Sequence, residues 1–232
     1  MTGCSTIQIA YNQADEVVYW WLDGYVDLTD KQKPFVKETL RHLHQWHRQS
    51  QLPEYVVFLQ KVRALAPHEI QAEQACSIMQ DVQSAFVTLV HHVEPESVQL
   101  IGQLQVSQFQ NIRKKYDKLN KNWREDYMDG SDDKRVRYRA KQLLSRLEDF
   151  YGSLDAPQKE IIKQWIAKSS FNPATSYADR LRRQNDAIQT FTRISQSSSG
   201  SSASQAQLRG WLDRSLHPPE EVLSKYSLNL KQ

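Results

Sequence analysis

Apolar residues along this chain recur at steps of three and four almost from end to end, the period of helices that bury one face. Over 29–50, Val36, Leu40 and Leu43 share one stripe with Trp46 beside it, and Thr29 three residues before Gln32 predicts a capping box. Pro53 opens a second helix to residue 66 with Tyr55, Phe58, Leu59, Val62 and Leu65 inward, and Pro67 ends it. The cleanest period follows. Ala75, Ile78, Val82, Phe86, Leu89 and Val93 form one stripe, stopped by Pro95. After a short piece at 98–104, Phe109, Ile112, Tyr116, Leu119, Trp123 and Tyr127 form another.

The MDGSDD break at 128–133 combines a glycine with cap residues, and helix resumes with Val136, Ala140, Leu143, Leu147 and Phe150 inward, Gly152 closing it. Asp155, Pro157 and Gln158 start a short helix carrying Ile161, Ile162 and Trp165. A more polar helix over 175–196 carries Leu181, Ile188 and Phe191, and the last one holds Leu208, Trp211 and Leu212. The serine-rich tract 195–204 reads as a flexible surface loop within a single helical domain over 10–232. No strand pair is visible. The expectation is an all-α antiparallel bundle of about 7–9 helices. The decades 28–37 and 154–163 share Leu, Gln and two Lys at matching places, which a divergent duplication or a shared helix-start pattern would both explain.

Composition narrows the class. With 232 residues, 39% hydrophobic, a mean hydropathy of −0.68 and no apolar run near about 18 residues, a polytopic membrane protein is excluded. Seven glycines and eight prolines argue against an all-β fold. Two cysteines cannot make a zinc cluster, and Cys76 is expected as a small buried thiol. Phosphate-loop, dinucleotide, nucleophile-elbow and zincin motifs are all absent, so no catalytic residue and no cofactor are assigned and a non-enzymatic protein is expected. His44 and His47 stand three apart, but a metal needs a third ligand that the sequence does not supply, and His91–His92 with Glu94 diverge on a helix; no metal is expected.

Between 111 and 141 the chain holds eleven Lys and Arg against six acids. Tyr116, Trp123 and Tyr127 fall on the apolar stripe, which assigns them to the core rather than to base stacking. The expectation is a solvated basic face and no nucleic-acid partner, with nucleic-acid or anionic-lipid contact through this stretch as the third functional reading. The most distinctive segment is AYNQADEVVYWWLDGYVDLTDKQ at 10–32. Val17, Trp20, Trp21 and Gly24 lie on one helix face, yet adjacent tryptophans cannot point at one spot, so one is expected inward and its neighbour toward a partner. Tyr19, Trp20, Trp21, Asp23, Gly24, Tyr25 and Asp27 are the candidate partner-binding residues.

Gly3–Cys4–Ser5, AYN-x-AD at 10–15, YWWLDGYVDL at 19–28 and RLEDFYG-x-L-x-x-x-Q at 146–158 together resemble an uncharacterised family of bacterial envelope lipoproteins, a domain of unknown function. The resemblance implies a lipid-anchor segment at 1–9, lipid attachment at Cys4, and a place on the periplasmic face of the outer membrane, toward which Ser5 after the cysteine also points. The membrane is then a partner through the lipidated N-terminus, and the function expected here is non-enzymatic binding of another envelope protein. No charged and apolar signal region precedes Cys4 here, so the chain as written is expected to be soluble. LTDKQ at 28–32, echoed by LDAPQ at 154–158, also resembles the LT-x-x-Q motif of periplasmic helical chaperones of the Spy and CpxP type. That resemblance implies a chaperone for unfolded envelope proteins as the alternative function.

Overall fold

In the computed structural model, which describes residues 3–197, 201–217 and 220, every regular element is helical. The order is α1 (Gly3–Asn12), α2 (Ala14–Val26), α3 (Lys33–Trp46), α4 (Leu52–Leu65), α5 (Ala72–His92), α6 (Glu94–Gly102), α7 (Val106–Tyr127), α8 (Asp132–Tyr151), α9 (Ala156–Ala167), α10 (Pro173–Gln196) and α11 (Ser202–Leu216). The all-α class is as the apolar period requires. The helix number among the described residues exceeds 7–9 because Gln13 alone separates α1 from α2 and Val93 alone separates α5 from α6. Pro95, which ends the α5 stripe, occupies the first turn of α6, where a missing N–H costs nothing.

No loop separates α3 from α4. A π-helical turn, His47–Gln51, joins them, with the Leu52 N–H reaching back to the His47 carbonyl. Pro53 explains it: the proline cannot donate to the carbonyl four residues earlier, so the ladder widens there. The Ser50 hydroxyl donates to the Trp46 carbonyl at 2.8 Å.

The chain divides into two compact units, Met1–Ile112 with Phe191–Leu208, and Arg113–Thr190 with Arg209–Gln232. The first is organised by a helix-start pattern that recurs. At four places an aliphatic residue is followed four positions later by a glutamine whose Oε1 accepts the backbone N–H three residues before it. These are Thr29 to Gln32 at 3.0 Å, Gln71 to Gln74 at 2.9 Å, Gln105 to Gln108 at 3.0 Å and Asp155 to Gln158 at 3.0 Å. At Gln71 and Asp155 the reciprocal bond completes a capping box.

Gln32 and Gln108 go further, because both are buried and face each other. Each Nε2 donates to the other's Oε1, at 3.2 Å from Gln32 and 2.8 Å from Gln108. The second proton of Gln32 goes to the Gln103 carbonyl and that of Gln108 to the Asp27 carbonyl, both at 3.1 Å. Gln103 and Asp27 each lie five residues before the glutamine of their own turn, so the two turns clasp with a local two-fold relation. All four hydrogen-bonding positions of both amides are filled. Leu28, Val36, Val98, Ile101 and Ile112 supply buried apolar residues of the same unit. The segment that pairs with 28–32 is therefore 104–108, whose likeness the sequence reading did not register.

The stripes on α4 and α5 are less buried than their period suggests. Leu59, Val82 and Phe86 are exposed, and neither helix holds a fully buried residue. The two helices meet along a polar edge, where Lys61 bonds Ser77 at 3.1 Å and Asp81 at 2.6 Å, which leaves part of each stripe uncovered. The serine tract also departs from a loop at 195–204, since α10 runs to Gln196 and α11 begins at Ser202; 198–200 lie outside the described residues. Ser201 accepts the Ser204 N–H at 3.2 Å, and Ser204 is fully buried, so serine acts here as a helix cap.

In the second unit α8 and α9 run antiparallel, since Glu148 meets Lys159 at 2.7 Å and Arg139 donates to the Ile166 carbonyl at 3.3 Å. Trp123 stacks on Tyr127 at 5.0 Å and on Tyr177 at 5.5 Å. A hydrogen bond to Asp126 pushes the Tyr138 hydroxyl up to about 12. Ile161 and Trp165 are exposed on α9; Ile166 is the buried residue of that helix. The face of α9 that meets α8 is covered, and these two side chains fall outside it.

The glutamine clasp makes a direct prediction. Gln108→Ala and Gln32→Ala each leave buried polar groups unpaired and should cost about 2–3 kcal/mol in urea unfolding. The double variant should cost less than the sum, because the second substitution removes a group the first has already orphaned. Strict additivity would show that the amides do not act as a pair.

Candidate functional site

The aromatic segment folds as α2, and the helix sorts its residues by face. Tyr19 and Val26, seven apart, are both buried, Tyr19 at 5% exposure. Val17, Trp20, Trp21 and Gly24 follow the i, i+3, i+4, i+7 spacing of one stripe, and that stripe points to solvent, with exposures of 61% for Val17, 69% for Trp20 and 61% for Trp21. The expectation that one tryptophan packs inward is thus corrected. Tyr19 takes the inward position, and about 100° of helical rotation turns its neighbour Trp20 away. The Lys37 ammonium lies 4.6 Å from the Tyr19 ring centre, and the Trp21 ring meets Tyr25 at 4.7 Å. The outward stripe is therefore built on a fixed base.

Asp23 and Asp27 shape the end of the helix. Asp27 adopts φ 59°, a left-handed conformation that Asp tolerates better than most side chains, and its N–H bonds the Asp23 carbonyl at 2.8 Å. The Asp23 carboxylate accepts the Leu28 N–H at 2.8 Å, and the Asp27 carboxylate accepts the Asn111 amide at 3.0 Å. Among the seven candidates, Tyr19, Asp23 and Asp27 hold the fold. Trp20, Trp21 and Gly24 form the exposed face, and half-buried Tyr25 supports Trp21.

Other candidate chemistry dissolves into structure. Tyr11 and the Nδ1 of His47 are hydrogen-bonded at 2.8 Å, and the His44 Nδ1 lies 3.9 Å from Asp15. His91 reaches Glu94 at 3.2 Å whereas His92 stacks on Trp46 at 3.7 Å, so the adjacent pair diverges. Among the described residues no group of three or more His, Cys, Asp or Glu is arranged to hold a metal ion. Cys76 is exposed rather than buried, because the α5 face that carries it is uncovered. Cys4 falls in the first turn of α1, its side chain lying outside the described residues. Within 111–141, Arg135 donates to the Met128 and Gly130 carbonyls at 3.1 and 2.6 Å, and Arg139 caps the Phe171 ring at 5.0 Å. Among the described residues no helix is long and apolar enough to cross a membrane.

Residues 24–215 match the model of DUF6279, described as a family of unknown function. No curated protein and no solved structure matches the chain. The matched stretch takes in the Asp27 turn and both buried glutamines, and it starts after Tyr19–Trp21 and Cys4.

Two outcomes follow from this geometry. Trp20→Ala and Trp21→Ala should each change stability by no more than about 0.5 kcal/mol, whereas Tyr19→Ala should cost about 3–5 kcal/mol in thermal or urea melts. A large loss at either tryptophan would place it in the core. Burial and the neighbouring His44 hold the His47 pKa below its ordinary value of 6.5. The unfolded chain then binds the proton more readily, so this contribution to stability is present above about 6.5 and is lost as pH falls toward the lowered folded value. His47→Gln should flatten the pH dependence of the melting temperature in that window, and an unchanged profile would remove the assignment.

Proposed function

The chain belongs to DUF6279, and for this member we propose a binding role. It is a lipid-anchored helical protein on the periplasmic face of the bacterial outer membrane, holding another envelope protein through the outward face of α2. The observation that carries the reading is the solvent-exposed stripe of Val17, Trp20, Trp21 and Gly24. Two adjacent, largely exposed tryptophans on a helix whose other face is anchored by Tyr19 and Val26 form a rigid aromatic surface of the kind that dominates binding energy when covered. Asp23 and Asp27 fix the end of that helix, so the stripe is held rather than mobile.

The anchor rests on the Gly3–Cys4–Ser5 resemblance. α1 and α2 between them carry the chain from Cys4 to Val17, about 20 Å at 1.5 Å per helical residue, so a lipid on Cys4 would keep the aromatic face near the bilayer surface. Two or three acyl chains anchor a protein stably, and the tether raises its effective concentration toward partners in the same membrane. No catalytic residue, metal or cofactor enters this reading, and nucleic acid is not an expected partner.

A second reading, a chaperone for unfolded envelope proteins, is favoured by a separate observation. Val57, Leu59, Met79, Val82 and Phe86 leave both α4 and α5 with exposed apolar residues. Apolar surface without a fixed partner suits an unfolded client.

Crosslinking in intact cells separates the two. The Trp20→Ser, Trp21→Ser double variant of the lipidated protein should stay folded and lose its crosslinked partner, while Cys4→Ser should move the protein from the membrane to the soluble fraction. Retention of the same partner by the tryptophan variant would sink the binding reading. Suppression of client aggregation at near-stoichiometric ratio, reduced by Leu59→Ser with Met79→Ser, would favour the chaperone instead.

A further inference from the structure

Two cations of the basic stretch singled out in the sequence, Arg137 and Lys141, line an open groove of about 830 Å³ along α8 and α9. Val136, Ala140 and Leu144 follow one another at steps of four along α8, so they form a single apolar ridge in that groove. Ala167 adds a second small apolar residue from α9. Arg137 and Lys141 each sit one position beyond a ridge residue, which sets a line of positive charge parallel to the apolar line.

The other charges of the groove are committed elsewhere. Glu148 holds Lys159 at 2.7 Å, and Glu160 lies 3.9 Å from Lys163 while accepting from Gln164 at 3.2 Å. Both carboxylates, Glu148 on α8 and Glu160 on α9, are therefore paired with lysines of α9. Arg137 and Lys141 have no acidic partner among the described residues, so the α8 wall carries uncompensated positive charge.

We propose that this groove docks an acidic amphipathic helix of another protein. Its apolar ridge would lie along half-buried Val136 and Leu144, across the buried Ala140 between them, and its flanking Glu or Asp residues would meet Arg137 and Lys141. An antiparallel helix pair offers grooves into which the ridges of a third helix fit, and the alanines at 140 and 167 permit close approach. The charge pattern selects the sign of the partner, since a basic helix would set like charges against the α8 wall. Nucleic acid fits less well, because the groove presents no aromatic side chain for stacking and its floor is apolar. The site lies in the second unit and is independent of the α2 stripe, so either assignment stands or falls alone.

The test uses the full chain and two dye-labelled helical peptides of about 18 residues, with the same leucine ridge but flanked by Glu in one and Lys in the other, read by fluorescence anisotropy. The Glu peptide should bind about 10-fold tighter or more, and its affinity should fall as salt rises. Arg137→Glu with Lys141→Glu should reverse the preference, and circular dichroism should show the helix content unchanged. If that variant does not fold, Arg137→Gln with Lys141→Gln should abolish the preference instead. Equal binding of the two peptides, a preference unaltered by these substitutions, or binding to phosphatidylglycerol vesicles in place of the Glu peptide would overturn the proposal.

Discussion

The first unit depends on one reciprocal hydrogen-bonded pair, the side-chain amides of Gln32 and Gln108. A buried primary amide is costly unless each of its polar positions is matched, and here each partner supplies what the other needs. Neither turn can satisfy its glutamine alone. The turn before α3 must therefore lie against the turn before α7, which ties Asp27 to Gln108 and Asn111 and so sets where α2 ends. The C-terminal end of the helix that carries the aromatic face is thereby tied to this clasp.

The same short pattern has different consequences elsewhere. At 70–74 and 154–158 the glutamine only closes a capping box, since Gln74 and Gln158 are not buried. The bond from a backbone N–H to the glutamine Oε1 is common to all four turns, and burial makes two of them into a tertiary contact. The family match takes in all four turns.

A second theme is apolar surface left without cover. α2, the α4 and α5 pair, and α9 all present large apolar side chains to solvent, while many of the fully buried side chains are small or polar, among them Ser204, Thr190 and Gln108. Helices that lie on one or two neighbours cover only part of their circumference, and the remainder is available for association. The binding reading rests on the most aromatic of these surfaces and the docked-helix proposal on the most charge-patterned.

The sequence by itself determined the helical class, most element boundaries and the apolar stripes, because 3.6-residue periodicity, prolines and capping residues act within a few positions of one another. Val36, Ile112, Ala140, Ile188, Leu208 and Leu212 are buried as their stripes require. It also singled out Trp20 and Trp21 by their rarity. Only the tertiary structure decided that both face solvent and that Tyr19 does not, since a helix with apolar residues on more than one side does not reveal which side its neighbours will take. Leu59, Phe86 and Trp165 are exposed for the same reason: periodicity names a face, and the number of packed neighbours decides whether it is covered. The Gln32–Gln108 pair joins residues 76 apart, and its partners are recognisable as a pair only once the fold has brought two similar turns together in a buried site.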